Sequence, residues 1–175
     1  MSVRKRTWTT AKGEAKTAWV VDYVDTKSRR RLKTFERKKE ADSFAATAHV
    51  EVRQGTHVAD SASVTIAAAG RLWLASAAAA GLERATVEDY ERHVRLHIGP
   101  VIGETRLSSL TIAEVRAFED DLRAGGRSAA MIKKVLVSLS TLVADAQERG
   151  LVARNVVRDM KARRGSGERR QEQRQ

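Results

Sequence analysis

Between Ser128 and Arg149 the chain places Ile132, Val135, Leu136, Leu139, Leu142, Val143 and Ala146 on one helical face. Gly150 follows as a C-cap, so the spacing predicts a helix of about 30 Å, enough to cross a small domain. A stripe this long must be covered by other elements. The preceding residues supply them. Val64 to Ala80 carries Ile66, Ala69, Trp73 and Ala77 on one side and stops at Gly81. Val87, Tyr90, Val94 and Ile98 stripe a second helix, which Gly99-Pro100 is expected to end. Thr111-Ile112-Ala113-Glu114 has the spacing of a capping box. It opens a helix whose apolar face is Ile112, Val115, Phe118 and Leu122, closed by Gly125-Gly126. Lys133, Lys134 and Ser138 fall off the stripe of the long helix. A short helix around Asn155 to Met160 completes the set.

The N-terminal third has a different period. Trp19, Val21 and Tyr23 alternate within Ala18 to Val24, which predicts a strand. A turn at Asp25-Thr26-Lys27-Ser28 leads to an antiparallel partner, Arg29 to Phe35. Arg6 to Thr10 has a shorter β-type composition around Trp8, with Ala11-Lys12-Gly13-Glu14 as a hairpin loop. Residues 1–6 read as a disordered basic arm. Leu32 and Phe35 have opposite parity and cannot share one face of a regular strand, so a bulge or an early strand end is expected there. Ala41, Phe44, Ala45, Ala48 and Val52 then stripe a helix over Arg37 to Gln54, closed by Gly55. This helix should cover one face of the sheet and leave the other free.

The expected fold class is α+β: a small three-stranded antiparallel sheet packed on one helix, then a separate all-α domain of four to five helices. The expected domains are 1–58, a linker at 59–63 within the loop-like stretch Thr56 to Ser63, 64–160, and a disordered basic tail at 161–175.

Charge narrows the function. The net charge is +11 with pI near 10.5, which makes a polyanion the first partner to consider. Residues 1–58 hold 14 Lys/Arg against 7 Asp/Glu, residues 59–160 hold 13 against 13, and residues 161–175 hold 6 against 2. The excess therefore sits at the two ends. No cysteine is present, which excludes disulfides, thiolate metal sites and Cys nucleophiles. No apolar run suits a membrane span and no apolar segment follows the basic start, so a cytoplasmic protein is expected.

Three stretches in this order resemble the N-terminal half of phage-type tyrosine recombinases, or integrases. Trp19 through Phe35 into Lys38-Lys39-Glu40-Ala41 is similar to the family's strand, turn, basic strand and helix start. Arg84-Ala85-Thr86-Val87-Glu88-Asp89-Tyr90, then His97-Ile98-Gly99 and Gly103, resembles its second core-binding helix and exit. Gln147-Glu148-Arg149-Gly150-Leu151-Val152-Ala153-Arg154-Asn155 resembles the end of its long fourth helix. The resemblance covers roughly residues 6–160 and implies an arm-type DNA-binding domain followed by a SAM-like core-binding domain. The family commonly has Thr where Arg37 stands and Pro where Val156 stands.

That family cuts DNA with two Arg, a Lys, a His-x-x-Arg box and a Tyr nucleophile in a C-terminal domain. Here Tyr23 and Tyr90 fall in a strand and on a helix stripe, and none of His49, His57, His93 and His97 has Arg three residues on. The resemblance thus implies a DNA-binding portion, with catalysis supplied by a domain this chain lacks. No cofactor is expected. The partners expected are double-stranded DNA and, on it, further copies of the chain as in integrase tetramers.

The candidate DNA contacts are Arg29, Arg30, Arg31 and Lys33 on the basic strand, where a sheet in the major groove would read base edges. Lys38 and Lys39 join them, since cations at a helix N-terminus oppose its dipole and suit a phosphate. In the helical part the candidates are Arg84, Arg92 and Arg95, then Arg127, Lys133 and Lys134. His93 and His97 have the i, i+4 spacing of metal ligands, but no acidic or cysteine set completes a site, so no metal is expected. The competing readings are a non-catalytic integrase-like regulator and a basic RNA-binding protein. The strands lack the stacked aromatics of single-strand readers.

Overall fold

The computed structural model describes residues 1–11 and 13–161. Lys12 of the expected hairpin loop lies outside the described residues, as does the basic tail beyond Lys161 with Arg163, Arg164, Arg169 and Arg170. The fold is α+β. Strands β1 (Ser2–Thr9), β2 (Ala15–Val24) and β3 (Arg30–Phe35) form an antiparallel sheet in that order. Helix α1 (Lys38–Arg53) lies across one face, and six helices follow: α2 (Ile66–Ala79), α3 (Arg84–His93), α4 (Gly99–Ile102), α5 (Ile112–Ala124), α6 (Ala129–Glu148) and α7 (Val156–Asp159).

The expected basic arm is instead the edge strand β1. It pairs with β2 along its whole length, from Ser2↔Asp22 to Thr9↔Ala15. The backbone of β2 pairs the polar groups along its inner edge, and Val3 packs into the cluster beneath α1. The parity conflict in β3 is resolved without a bulge or an early end. Pairing is continuous from Trp19↔Phe35 to Val24↔Arg30. Phe35 meets Phe44 of α1 at 5.3 Å between ring centroids, while Leu32 stays 56% exposed on the other face. The sheet tolerates one stranded leucine in order to keep its register.

Two apolar clusters form. Val21, Tyr23 and Ala41 are buried between sheet and α1. The larger one gathers Ile66, Trp73, Phe118, Leu139, Leu142 and Val143, with the α6 stripe at its centre. Local chemistry fixes the helix starts. Thr111 and Glu114 form the capping box in both directions, and Ser128 Oγ accepts from Met131 N–H. Helix α1 begins at Arg37 with no side-chain cap. Ile112 was expected in the core but is 41% exposed: at the first position of α5 it turns outward while Val115, Phe118 and Leu122 turn in. Ser138 was expected off the stripe but is buried.

Gly99-Pro100 does not end the second helix. The chain passes from α3 through a π-helical turn, Val94–Ile98, directly into α4. An α-helical Pro100 would press its ring on the Leu96 carbonyl and could not donate to it. The wider turn avoids this, and Gly99 N–H bonds Val94 O instead. At Gly103 an added Cβ would lie 2.4 Å from the Gly99 carbonyl oxygen, which only backbone movement could relieve. Gly103→Ala should destabilise the fold by roughly 1–3 kcal/mol. A lower urea midpoint at unchanged m-value is the readout. Among the described residues no helix is long and apolar enough to cross a membrane.

Candidate nucleic-acid interface

Directly paired residues of an antiparallel sheet share a face. The register therefore puts Ser2, Arg4, Arg6 and Trp8 of β1 beside Lys16, Ala18, Val20 and Asp22 of β2, and Arg30, Leu32 and Thr34 of β3 beyond them. This face lies opposite α1. Its floor, Ala18 and Val20, is buried beneath flanking side chains. Arg4, Arg6, Lys16 and Arg30 stand around that floor, all exposed. Asp22 is the acid among them. It takes Arg30 Nε at 3.0 Å and has Arg4 at 3.9 Å, and the Arg30 hydrogen bond lowers its pKa. Arg4, Arg6 and Lys16 were not among the sequence candidates. The signal was the alternation of β1 against β2, hidden by the strand's polar composition.

Arg31 and Lys33 have the other parity and point under the sheet toward α1. Arg31 Nε is 2.8 Å from Asp25 Oδ2, and its Nη1 donates to Ser61 Oγ at 2.9 Å. Asp25 also accepts from the backbone N–H groups of Arg29 and Lys27, and the Arg29 bond leads in holding its carboxyl down at about 2 against the opposing pull of burial. Lys33 Nζ sits 2.7 Å from Asp60 and 4.5 Å from the centre of the Phe44 ring. Tyr23 and His57 close this side. Tyr23 Oη and His57 Nε2 are 3.0 Å apart, and His57 Nδ1 lies 2.9 Å from Glu51. Burial pushes the Tyr23 hydroxyl pKa up.

The stretch expected as a linker is thus packed. Ala59 and Ser63 are buried, with one 3-10 turn, Asp60–Ala62, between them. Arg106 donates to the Asp60 and Ser63 carbonyls, and Ser63 Oγ accepts from Ser108 N–H. Sheet side chains hold the connector from one side and the helical part holds it from the other.

Arg29 is exposed in a cleft with Lys27 and Arg31. Lys38 has its Nζ 5.7 Å from the Trp19 ring centre, which offsets its poor position on the α1 dipole. Lys39 is exposed.

In the helical part, Arg92 and Lys134 act electrostatically on His93, and Arg127 acts on His97. Both rings are buried, and burial leads in lowering both pKa values. The three charges act in the same direction, against Asp89 at His93. Arg92 is 3.1 Å from Asp89, Arg84 is 2.7 Å from Glu88, and Arg95 is exposed. Lys133 lines a groove between α5, α6 and α7 with Arg116 and Arg123. Among the described residues no group of His, Cys, Asp and Glu could hold a metal ion. Tyr90 is stacked against Trp73 at 4.5 Å.

No protein-family model matches the chain. No curated protein matches it. Solved structures do. An integrase-like domain from Bacillus cereus aligns at TM-score 0.52 and 18% identity, over 60% of this chain and 88% of that one. A lambda integrase tetramer bound to a Holliday junction aligns at TM-score 0.54 and 18% identity, over 92% of this chain. The fold is integrase-like. A lambda integrase dimer bound to a COC' core site gives the same score and identity over 92% of the chain. The integrase-like chain spans about half the length of the lambda integrase chains, 48% and 46%. The alignment to them takes in the sheet as well as the helices.

Proposed function

We propose that the chain binds double-stranded DNA as the DNA-binding portion of a site-specific recombinase of the integrase type. Residues 1–58 act as an arm-type module and residues 64–160 as a core-binding module. The open face of the sheet carries this reading. Arg4, Arg6, Lys16 and Arg30 share one exposed surface, which no helix covers among the described residues, and side chains of this kind reach base edges and phosphates together. The second contact surface takes in Arg92, Arg127 and Lys134, with Arg84 and Arg95 on the same helical path. Arg31 and Lys33 leave the set of direct contacts and become positioning residues, because their charges are spent on Asp25 and Asp60. Strand cutting and joining belong to a domain outside this chain. Tyr23 keeps its hydroxyl against His57, and Tyr90 lies against Trp73. On DNA, further copies assemble beside it within the cell that houses the target site.

The test is fluorescence anisotropy on a random duplex across a salt series. Binding should weaken linearly in log–log form, with a slope of about −0.9 per phosphate contacted. Binding that ignores salt, or none at low salt, sinks the reading. Tighter binding to single-stranded RNA than to the duplex favours an RNA-binding protein instead.

A further inference from the structure

The open face of the sheet is basic, yet Asp22 stands on its middle strand with a side chain only 15% exposed. Arg30 donates Nε–H to Asp22 Oδ1 at 3.0 Å and Nη2–H to Oδ2 at 2.5 Å. Arg4 lies further off, at 3.9 Å. An ion pair whose arginine is 68% exposed adds little to stability. An acid on a face that meets phosphates also weakens that contact. What the pair does supply is orientation. A guanidinium carries five N–H donors in a rigid fork. Asp22 occupies the edge formed by Nε and Nη2, and Nη1 has no partner among the described residues. The free edge, Nη1 with the second Nη2–H, is a parallel pair of donors on an exposed side chain.

The neighbours select what that edge meets. Val24 pairs with Arg30 and Asp22 pairs with Leu32, so the four side chains form one square on the open face. Asp22 and Arg30 are bonded across one diagonal of it. The other diagonal holds Val24 and Leu32, both more than half exposed. A phosphate has no apolar group to offer these two. A duplex major groove does: guanine presents O6 and N7 there as paired acceptors, and thymine presents its methyl group. Arg30 and Leu32 are two residues apart on β3, about 7 Å, close enough to meet neighbouring base pairs.

We infer that Asp22 holds Arg30 to read a guanine in the major groove, and that Leu32 and Val24 receive the methyl group of an adjoining thymine. This inference rests on the DNA-binding reading above and gives the open face a base preference. Asp22 is a positioning residue, acting through Arg30. The exposed Arg4, Arg6 and Lys16 around the square are left for phosphates, which carry no sequence information. Two signs separate this from a plain ion pair. Taking the charge off Asp22 removes an anion from the face, so binding to random duplex should tighten while base preference is lost. Arg30→Lys keeps a charge for a phosphate and loses the fork that guanine requires.

In the experiment the full chain selects duplexes from a random pool. The selected duplex is remade with 7-deazaguanine, which lacks N7, and separately with uracil, which lacks the thymine methyl. Anisotropy at fixed salt should show the wild type losing about tenfold on 7-deazaguanine and about fourfold on uracil. Arg30→Lys and Asp22→Asn should be nearly indifferent to 7-deazaguanine, and Asp22→Asn should bind random duplex at least as tightly as the wild type. Leu32→Ala with Val24→Ala should be indifferent to uracil. Arg30, Leu32 and Val24 are exposed, so those variants should keep the wild-type melting temperature. A 7-deazaguanine loss as large in Arg30→Lys as in the wild type overturns the inference, as does a wild type indifferent to uracil. Selected duplexes that share no guanine overturn it without any variant. A wild-type chain that binds no duplex rejects the DNA reading itself, a different failure.

Discussion

A chain carrying Arg4→Ala, Arg6→Ala and Lys16→Ala together is expected to bind duplex DNA at least about a hundredfold more weakly at low salt, with a salt slope shallower by about 2.7. The three side chains lie on the open face and are exposed. Removing them uncovers no buried charge, and Arg30 remains to partner Asp22. The sheet's backbone pairing does not depend on them, so the melting temperature should hold. Arg31→Ala with Lys33→Ala is the informative contrast. Those substitutions strip the partners of Asp25 and Asp60 and should lower stability, leaving the salt slope near wild type. The reverse pattern, with the slope lost in the second variant and kept in the first, would return the DNA contacts to the inner parity of β3 and reject the open face.

His57→Ala is expected to cost about 3 kcal/mol of stability, with the loss concentrated in the sheet. The ring contacts both Tyr23 Oη and Glu51, and its edge meets Tyr23 at 5.1 Å and Phe44 at 6.3 Å. Deleting it leaves a buried hydroxyl without its partner and opens a hole beside two aromatic rings. Tyr23→Phe removes only the hydroxyl and should cost about 1 kcal/mol. Urea unfolding gives the totals. Amide exchange gives the place: β2 should lose protection before α6 does. Uniform loss across both elements, or no loss, contradicts the assignment of His57 as the link.

The helical part was largely legible because each helix carries its evidence in its own residues. The α6 stripe and the Thr111–Glu114 box both stand in the structure as the spacing predicts. What escaped depends on partners far away in sequence. Strand β1 has little apolar alternation of its own, and β2 makes it a strand. Leu32 looked like a core residue because leucine usually is one. The register, set by β2, outweighed one side chain. Gly99-Pro100 looked like a stop because proline breaks an α-helix, and the π turn is a route around that rule which no local pattern announces. Of the candidate contacts, Arg92 and Lys134 act electrostatically on His93, and Arg127 acts on His97. Arg31 and Lys33 were named beside Arg30 as contacts, but they have the other parity and lie on the covered face. Their acids, Asp25 and Asp60, lie 6 and 27 residues away.

The doubly held connector has a mechanical meaning. A floppy tether between two DNA-binding modules lets each find its own segment, and a pull on one is not felt by the other. Here Arg31, Lys33 and Tyr23 grip the connector from the sheet, and Arg106 and Ser108 grip it from the helices. In the proposed complex such a joint works as a stiff elbow. Torque on the DNA held by the sheet reaches the helical module as a rotation instead of being lost in slack. The spacing and phase of the two DNA segments then become something the protein measures.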